Sequence, residues 1–247
     1  MAYPIRIGVG GWSYPPWRWT FYPSHVRKAD ELAFASRALT AIEINATFYK
    51  RQSPDIFARW RDETPDDFVF AVKAQRFAMM RKTEADMRAS INAFLDSGVT
   101  ALGDKLGPIN WQFPATRAFD AGYFATFLKC LPPEHDGRAL QHAIEVRHAS
   151  FADDAFADLL LTHGCARVCA DSDDWPMDDI ATAPFAYARL QRSQSDEKTG
   201  YPPQALARWV KTFKAWAVRK PVFAFVIAGA KDMNPAAAMA LIKRVAA

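Results

Sequence analysis

The sequence predicts an α/β fold, a single (β/α)8 barrel of the TIM type, regular or irregular, that spans residues 1–247. Eight short apolar runs alternate with helical patterns, and such alternation is typical of parallel sheets. A chain of 247 residues suits one barrel, because this fold takes about 250 residues. Most of the apolar runs carry charged or amide side chains on one face, which indicates a polar centre. An open doubly wound sheet is the alternative.

The predicted elements follow one another in strict order. The apolar runs predict strands at Ile5–Gly10, Ala41–Phe48, Phe68–Lys73, Ile109–Phe113, His142–Arg147, Arg167–Asp171, Phe185–Leu190 and Val222–Ile227. Helical periodicity predicts helices at about Ala29–Leu39, Pro54–Arg61, Ala85–Ala101, Ala121–Leu131, Asp153–His163, Pro203–Ala217 and Pro235–Val245. Asn234 is a suitable cap for the last helix, and Pro235 suits its first turn.

Side-chain alternation predicts which polar residues point into the barrel. Successive residues of a strand face opposite sides, so Glu43 and Asn45 lie opposite two isoleucines. The same test predicts an inward direction for the polar residues of later strands, namely Lys73, Asn110, Gln112, Glu145, Arg147 and Asp171. Arg189 ends the seventh run, and its direction is ambiguous because Tyr187 shares its face.

The inward charges sum to zero and allow two interpretations. One is a structural ion-pair network across the barrel. The other is a functional site, because active sites of this fold lie at the carboxyl ends of the strands and buried charges are costly to keep for packing alone. In the functional interpretation, the candidate catalytic residues are Glu43, Lys73, Glu145 and Asp171. Lys73, Arg147 and Arg189 would hold an anionic substrate, since arginine suits bidentate contacts. Further candidate substrate-binding residues are Asn45, Gln112 and His148.

The sequence demands no metal and shows no motif for an organic cofactor. A hard ion such as magnesium could be held by Glu43, Glu145 and Asp171, but the three cations could equally neutralise these carboxylates. The histidines are too scattered for a zinc cluster. His148 follows the fifth strand directly, where it is either a catalytic group or a loop residue with local hydrogen bonds.

Two long loops follow strand ends and supply candidate binding residues. Residues 11–28 form an aromatic loop, which predicts either a hydrophobic plug or a stacking surface. Trp12 and Tyr14 lie nearest the strand and are the best candidates to contact a ligand. Residues 191–202 form the second loop, where Tyr201, together with Tyr49 after the second strand, would orient a substrate. The loop after the last strand resembles a phosphate-binding turn only weakly, because it has a single glycine.

Composition narrows the class of protein. The net charge is +4, and the basic residues crowd toward the C-terminus, which suggests either a polyanion-binding sector or an ordinary solvated helix face. No apolar run is long enough for a membrane span, and the first strand begins too early for a signal peptide. Three irregularly spaced cysteines argue against a disulfide framework or a cysteine zinc site. We therefore expect a cytoplasmic protein; its oligomeric state is left open.

Several segments together resemble the domain of unknown function 72 family, also called YecE-like, over nearly the full chain. The segments are 8–14 (GVGGWSY), 43–49 (EINATFY), 70–74 (FAVKA), 105–108 (KLGP), 112–114 (QFP), 145–148 (EVRH), 187–190 (YARL) and 200–201 (GY). The resemblance implies a TIM-type barrel and no particular reaction. The chain departs from the family pattern at Met79-Met80, Gln191-Arg192 and Ile227-Ala228, where many relatives carry histidines or asparagines.

These observations lead to three hypotheses. The first is an enzyme that acts on a phosphate-bearing or sugar-bearing molecule, with phosphodiester or nucleic-acid hydrolysis as its sharpest version. The second is a non-catalytic nucleic-acid-binding protein that uses the basic C-terminal sector and the aromatic loop. The third is isomerase or aldolase-like chemistry on a sugar phosphate, with Lys73 as base or Schiff-base former.

Overall fold

Eight parallel strands close into a barrel in a computed structural model, which describes residues 2–172, 174–175 and 181–247. The strands are β1 (Ile5–Gly10), β2 (Ala41–Ile44), β3 (Val69–Lys73), β4 (Leu106–Gln112), β5 (His142–Glu145), β6 (Ala166–Asp171), β7 (Ala186–Leu190) and β8 (Val222–Val226). Each strand pairs with its neighbours in the sequence, and β8 pairs with β1. The predicted barrel is confirmed, and the open sheet is not observed.

Helices surround the barrel and connect its strands. They are α1 (Glu31–Ala38), α2 (Ala46–Tyr49), α3 (Pro54–Asp62), α4 (Glu84–Leu95), α5 (Ala121–Lys129), α6 (Asp154–Thr162), α7 (Pro203–Ala217) and α8 (Asn234–Ala246). A small hairpin, Glu134–His135 with Arg138–Ala139, precedes β5. The described part of the connection between β6 and β7 contains no helix. In the part of the chain that the structure describes, no helix combines the length and apolar character needed to span a bilayer.

The corrections to the predicted elements include two boundaries and one helix cap. The second strand ends at Ile44 because Asn45 adopts helical angles and the Thr47 hydroxyl bonds to the Ile44 carbonyl at 3.1 Å, which starts α2. The fourth helix ends at Leu95, before Gly98, whose φ of +99° breaks it. Asn234 does not cap α8, because its side chain contacts the Ser193 hydroxyl at 2.7 Å instead of a helix N–H group.

The inside of the barrel is divided into two layers. The floor is apolar: aromatic rings from β7 and β8 lie opposite alanines from β2, β3 and β5, so large side chains fill the space that small ones leave. Its buried members are Ala41, Ala71, Ala143, Ala166, Val168, Phe185, Tyr187, Phe223 and Phe225. The polar side chains of β2, β4, β5 and β7 lie nearer the carboxyl ends of the strands. Among the described residues, the apolar floor therefore lies deeper in the barrel and the polar side chains lie at the mouth.

Buried His142 at the start of β5 is held neutral by its contacts. Nδ1 accepts a hydrogen bond from Trp111 Nε1 at 3.1 Å, and Nε2 lies 2.7 Å from the carbonyl of Pro132, to which it donates. Burial lowers the pKa of His142 from 6.5 to about 4. The imidazole is thus a structural group at the end of the barrel opposite the mouth.

We expect the free energy of unfolding to fall as the pH drops from about 6.5 to about 4 because of His142. The folded-state pKa lies below the unfolded one, so the unfolded chain binds the proton first and stability is complete only above the unfolded pKa. The loss reaches about 3 kcal/mol at pH 4. Urea denaturation of wild type and His142→Gln across this range measures it, with the exposed His25→Gln as control. Parallel pH profiles for wild type and His142→Gln would contradict the assignment.

Candidate active site

Two fully buried carboxylates face each other inside the mouth and share one arginine. Glu43 lies on β2 and Glu145 ends β5, and both have 0% exposure. Arg189 on β7 donates from Nη2 to Glu43 Oε1 at 2.8 Å and from Nη1 to Glu145 Oε2. Arg189 points into the barrel, because it shares a strand face with Tyr187 and pairs with Phe225, both of which lie in the lumen. The ambiguity in its predicted direction is thereby resolved. One guanidinium therefore bridges the barrel.

Neutral groups complete the hydrogen bonding of the two carboxylates. Asn110 Nδ2 lies 3.3 Å from Glu43 Oε2 and 3.2 Å from Glu145 Oε2. The Tyr187 hydroxyl donates to Glu43 Oε2 at 2.6 Å. Burial and Glu43 both raise the pKa of Tyr187, so the phenol keeps its proton. Gln112 Oε1 accepts from Arg189 at 3.0 Å.

Arg147 adds a second cation to Glu145. Its Nε and Nη2 atoms donate to Glu145 Oε1 at 2.8 and 2.6 Å, and its guanidinium lies 5.1 Å from the Trp175 ring centroid. Burial opposes ionisation of Glu145, but Arg189, Arg147 and Lys73 outweigh burial and lower the pKa of Glu145 to about 2. Glu145 is consequently a permanent carboxylate at neutral pH.

Lys73 ends β3 at the same mouth and differs from the two arginines. Its Nζ lies 4.0 Å from the centroid of the Phe48 ring, and it forms no ion pair or hydrogen bond with any described residue. Burial and Arg189 lower the pKa of Lys73 from 10.5 to about 8, although Glu43 and Glu145 partly oppose the shift. The neutral form of this amine is therefore more accessible near neutral pH than that of an exposed lysine.

A pocket beside these charges gathers four predicted binding residues. Trp12, Tyr14, Asn45 and Tyr49 line a cavity of about 330 Å³ together with Gly11, Ser13 and Ala46. Tyr49 is 68% exposed, so its ring forms the outer wall. The Oδ1 atom of Asn45 is buried and lacks a hydrogen-bond partner in the described structure. The pocket thus offers aromatic walls to a small ligand, with the Asn45 side chain beside them.

Three other rings of the aromatic loop form a hydrophobic cluster, as in the plug interpretation, whereas Trp19 is 78% exposed. Trp17, Phe21 and Tyr22 are buried and pack on one another and on Phe34 of α1. Trp17 Nε1 also donates to the carbonyl of Lys231 at 2.6 Å, which ties the plug to the loop after β8. The plug fixes the loop whose first residues line the pocket.

Asp171 and Tyr201 do not join the site as predicted. Ala170 pairs with Arg189, and Val168 belongs to the apolar floor, so Asp171 points to the other face of β6. Its Oδ2 atom accepts from the Tyr201 hydroxyl at 2.8 Å, and Arg192 Nε lies 3.4 Å from Oδ1. Tyr201 is 2% exposed and also accepts from the Arg192 amide. These residues hold the loop after β7, and the prediction of an inward Asp171 is wrong.

His148 forms local hydrogen bonds. Its Nδ1 atom accepts from the Ser150 amide at 3.2 Å and contacts the Ser150 hydroxyl at 2.8 Å, which caps the short helix Ala149–Phe151. The predicted set of magnesium ligands is also broken up, because Asp171 lies elsewhere and Arg189 bridges Glu43 and Glu145. Within the described ranges, no three histidine, cysteine or acidic side chains come close enough to hold a metal.

Three contributors were not among the predicted site residues. Asn110 lies on the predicted inward face, and its contacts with both carboxylates could have been foreseen from that position. Tyr187 shares a strand face with Arg189, and this shared parity is the sequence signal that could place it in the site. Phe48 was assigned to a strand, so its position over Lys73 had no sequence signal.

The closed barrel with ionisable side chains at the carboxyl ends of its strands places the protein in the class of TIM-like α/β barrels with a polar mouth. The model of the family described as "Protein of unknown function DUF72" matches residues 6–247, and the chain belongs to this family.

Individual relatives agree with this assignment. The UPF0759 protein YecE of Escherichia coli K12 is 31% identical over 153 residues, a match that covers 60% of this chain and about half (50%) of that protein. The solved structure of a DUF72 protein (TM1631) from Thermotoga maritima has a TM-score of 0.77 at 20% identity and 99% coverage of both chains. Another (EF0366), from Enterococcus faecalis, has a TM-score of 0.76 at 17% identity and covers 99% of this chain and 98% of that one.

We expect Glu145→Gln to lower the free energy of unfolding by about 3–5 kcal/mol, because Arg189 and Arg147 would each lose a buried counter-charge. Urea denaturation at pH 7 measures the change. Glu134→Gln, which removes an exposed carboxylate from the hairpin, is the control and should change stability by less than about 0.5 kcal/mol. Equal effects of the two variants would contradict a buried ion bridge at Glu145.

We expect trace acylation of Lys73 to follow a titration with a midpoint near pH 8, because only the neutral amine reacts. Quantitative peptide mass spectrometry over pH 6–11 measures the rate of modification for each lysine. Lys105 is the comparison: it is equally buried, but its Nζ donates to the carbonyls of Arg61 at 2.6 Å and Thr64 at 2.7 Å. It should stay unmodified, and a midpoint for Lys73 above about 10 would refute the lowered pKa.

Proposed function

We propose that the protein is an enzyme that uses the Lys73 amine on a small anionic carbonyl compound of the sugar phosphate kind, as a Schiff-base former. The observation that carries the proposal is a buried lysine without an ion-pair partner among the described residues, whose pKa is lowered to about 8. Enzymes activate lysine nucleophiles through desolvation and neighbouring cations. Both causes act on Lys73, since burial and Arg189 are the two largest contributions that lower its pKa.

The two carboxylates are better suited to supporting the chemistry of Lys73 than to acting as general acid or base themselves. An efficient general acid or base needs a pKa near the working pH. Glu145, with a pKa of about 2, is far from it and is held by two arginines. The pKa of Lys73 is closer to the working pH, and among the described residues its Nζ contacts the Phe48 ring but no carboxylate. We therefore assign Glu43, Glu145 and the bridging Arg189 to positioning and electrostatics.

The charge of the mouth favours an anionic substrate. Without Asp171, the site holds two carboxylates and three cations, so one positive charge is in excess when Lys73 is protonated. Glu43 and Glu145 already pair with arginines, so protonated Lys73 carries the excess positive charge of the mouth. The neighbouring pocket of about 330 Å³ suits a small molecule and supplies aromatic walls for an aldehyde or sugar chain.

The proposed step balances within the site. The neutral Nζ attacks the carbonyl carbon, and a C–N bond forms. The C–O bond then breaks, and the carbonyl oxygen leaves as water. In the neutral imine, both protons of that water have come from the nitrogen. Protonation of the imine restores a positive charge at the position of the original ammonium. Glu43 and Glu145 lie close enough to favour that charge, since both raise the pKa of Lys73.

The other hypotheses stay predictions. Phosphodiester hydrolysis needs an activated nucleophile or a metal, and the described carboxylates are engaged by Arg147 and Arg189. Nucleic-acid binding through the basic C-terminal sector predicts an affinity that falls steeply with salt. No contact at the mouth favours either of them over lysine chemistry.

We expect sodium borohydride to attach a carbonyl substrate irreversibly to Lys73, because hydride reduces the imine carbon to a stable secondary amine. The protein is incubated with dihydroxyacetone phosphate, glyceraldehyde 3-phosphate or pyruvate, reduced and digested. Mass spectrometry should find the adduct on the Lys73 peptide. Lys73→Met should lose the adduct and keep its circular dichroism spectrum. Absence of an adduct across a wide panel of anionic aldehydes and ketones, or equal labelling of exposed Lys50, would overturn the proposal.

A further inference from the structure

A second polar groove lies beside the mouth, between the segment that follows β3 and the exposed side of α4. Its volume is about 310 Å³. Two arginines and two neutral polar side chains line it together with small or aromatic apolar residues. The lining residues are Arg51, Gln75, Phe77, Arg81, Ala89, Ser90 and Ala93.

Each arginine of the groove is held in place by one hydrogen bond. Arg81 Nε donates to the Ser90 hydroxyl at 2.8 Å, and Arg51 Nη1 donates to the carbonyl of Ala93 at 3.3 Å. Neither guanidinium forms an ion pair with a described carboxylate. The remaining N–H groups of both side chains are thus available, and their orientation is already restricted before a ligand arrives.

Arg51 and Arg81 differ from the arginine on α4 itself, which has an ion-pair partner. Arg88, which is on α4 but is not among the residues that line the groove, pairs with Glu84 at 2.8 Å. Arg76 and Lys82 lie close to the groove in sequence and are exposed, so they add to its positive potential. Planar guanidinium groups match phosphate oxygens through paired N–H donors, and the Gln75 amide and Ser90 hydroxyl can complete such a shell.

The groove is within reach of the reactive lysine. Gln75 follows Lys73 by two residues, which limits the distance between their Cα atoms to about 7 Å. The Arg76 amide donates to the carbonyl of Phe48 at 3.2 Å, and the ring of Phe48 covers Lys73 Nζ. A short stretch of backbone at the carboxyl end of β3 therefore joins the groove to Lys73.

We propose that the groove binds the phosphate monoester of the substrate, through Arg51 and Arg81 with Gln75 and Ser90 as neutral partners. The identity of the substrate rests on the proposed function. Recognition of phosphate itself does not depend on the chemistry of Lys73.

The test is an NMR titration of the full chain that follows the Arg81 Nε–H signal. The ligands are inorganic phosphate, glyceraldehyde 3-phosphate and unphosphorylated glyceraldehyde. We expect both phosphates to shift the signal with saturation, and glyceraldehyde to leave it unchanged. Tighter binding of glyceraldehyde 3-phosphate than of inorganic phosphate identifies the substrate monoester as the ligand. Equal affinity means that the groove takes the free ion, which overturns the monoester assignment.

Variants separate the groove from general charge. Arg51→Gln and Arg81→Gln should each weaken phosphate binding by about tenfold or more, as measured by calorimetry. Arg88→Gln removes the same charge from α4 outside the groove and should bind like wild type. Equal losses in Arg88→Gln, unchanged affinity in Arg51→Gln and Arg81→Gln, or no binding of any phosphate by wild type would overturn the inference. Displacement of phosphate by a short single-stranded oligonucleotide at equal phosphate concentration would overturn the monoester assignment and identify nucleic acid as the ligand of the groove.

The two proposals fail in different ways. Lys73→Met should keep phosphate binding while it loses the borohydride adduct. An adduct on Lys73 without phosphate binding overturns the proposed phosphate site and supports the proposed lysine chemistry. Phosphate binding without an adduct overturns the proposed lysine chemistry and supports the phosphate site.

Discussion

The Arg189 guanidinium, placed between two buried carboxylates, is the interaction on which the mouth of this barrel depends. Glu43 and Glu145 have no exposure to water, and two unpaired carboxylates in such a space would cost several kcal/mol each. Arg189 reaches both, and its own charge is sustained because the two carboxylates outweigh its burial and raise its pKa. With Arg147 on the remaining side of Glu145, the negative charges are fully engaged. Lys73 is consequently not required as a counter-ion, and this leaves its amine without a partner among the described residues.

The alternation of strands and helices was predictable because each barrel strand has one face against the helices, and that face is consistently apolar. The ends of the elements were less predictable. Residues 41–48 contain an apolar, strand-like pattern, yet the chain turns into α2 after Ile44 because Thr47 bonds to the carbonyls of Ile44 and Lys73. The second of these acceptors is on another strand. A tertiary contact therefore decides the boundary, and no local pattern reports it.

The candidate site was predictable on those strands where only one face is apolar. Glu43, Lys73 and Glu145 follow this rule, and they meet at the mouth. The rule fails on β6, because the apolar floor of the barrel also demands apolar residues on the inner face. Val168 belongs to that floor, so its apolar character did not mark the helix side, and Asp171 was assigned to the wrong face. Tyr187 and Arg189 share a face for the same reason: the first reaches the floor and the second the charged layer above it.

The division of the lumen into an apolar floor and a charged mouth imposes an electrostatic conflict on lysine chemistry. The low-polarity surroundings that bring the pKa of Lys73 to about 8 produce the neutral amine that can attack a carbonyl. That neutral amine, however, no longer attracts an anionic substrate, and Arg147 and Arg189 are already paired with carboxylates. Attraction must come from cations that keep their charge and lie outside the ion bridge. Arg51 and Arg81 meet both conditions, so separate places for binding charge and for reacting nitrogen allow the site to hold an anion while Lys73 is unprotonated.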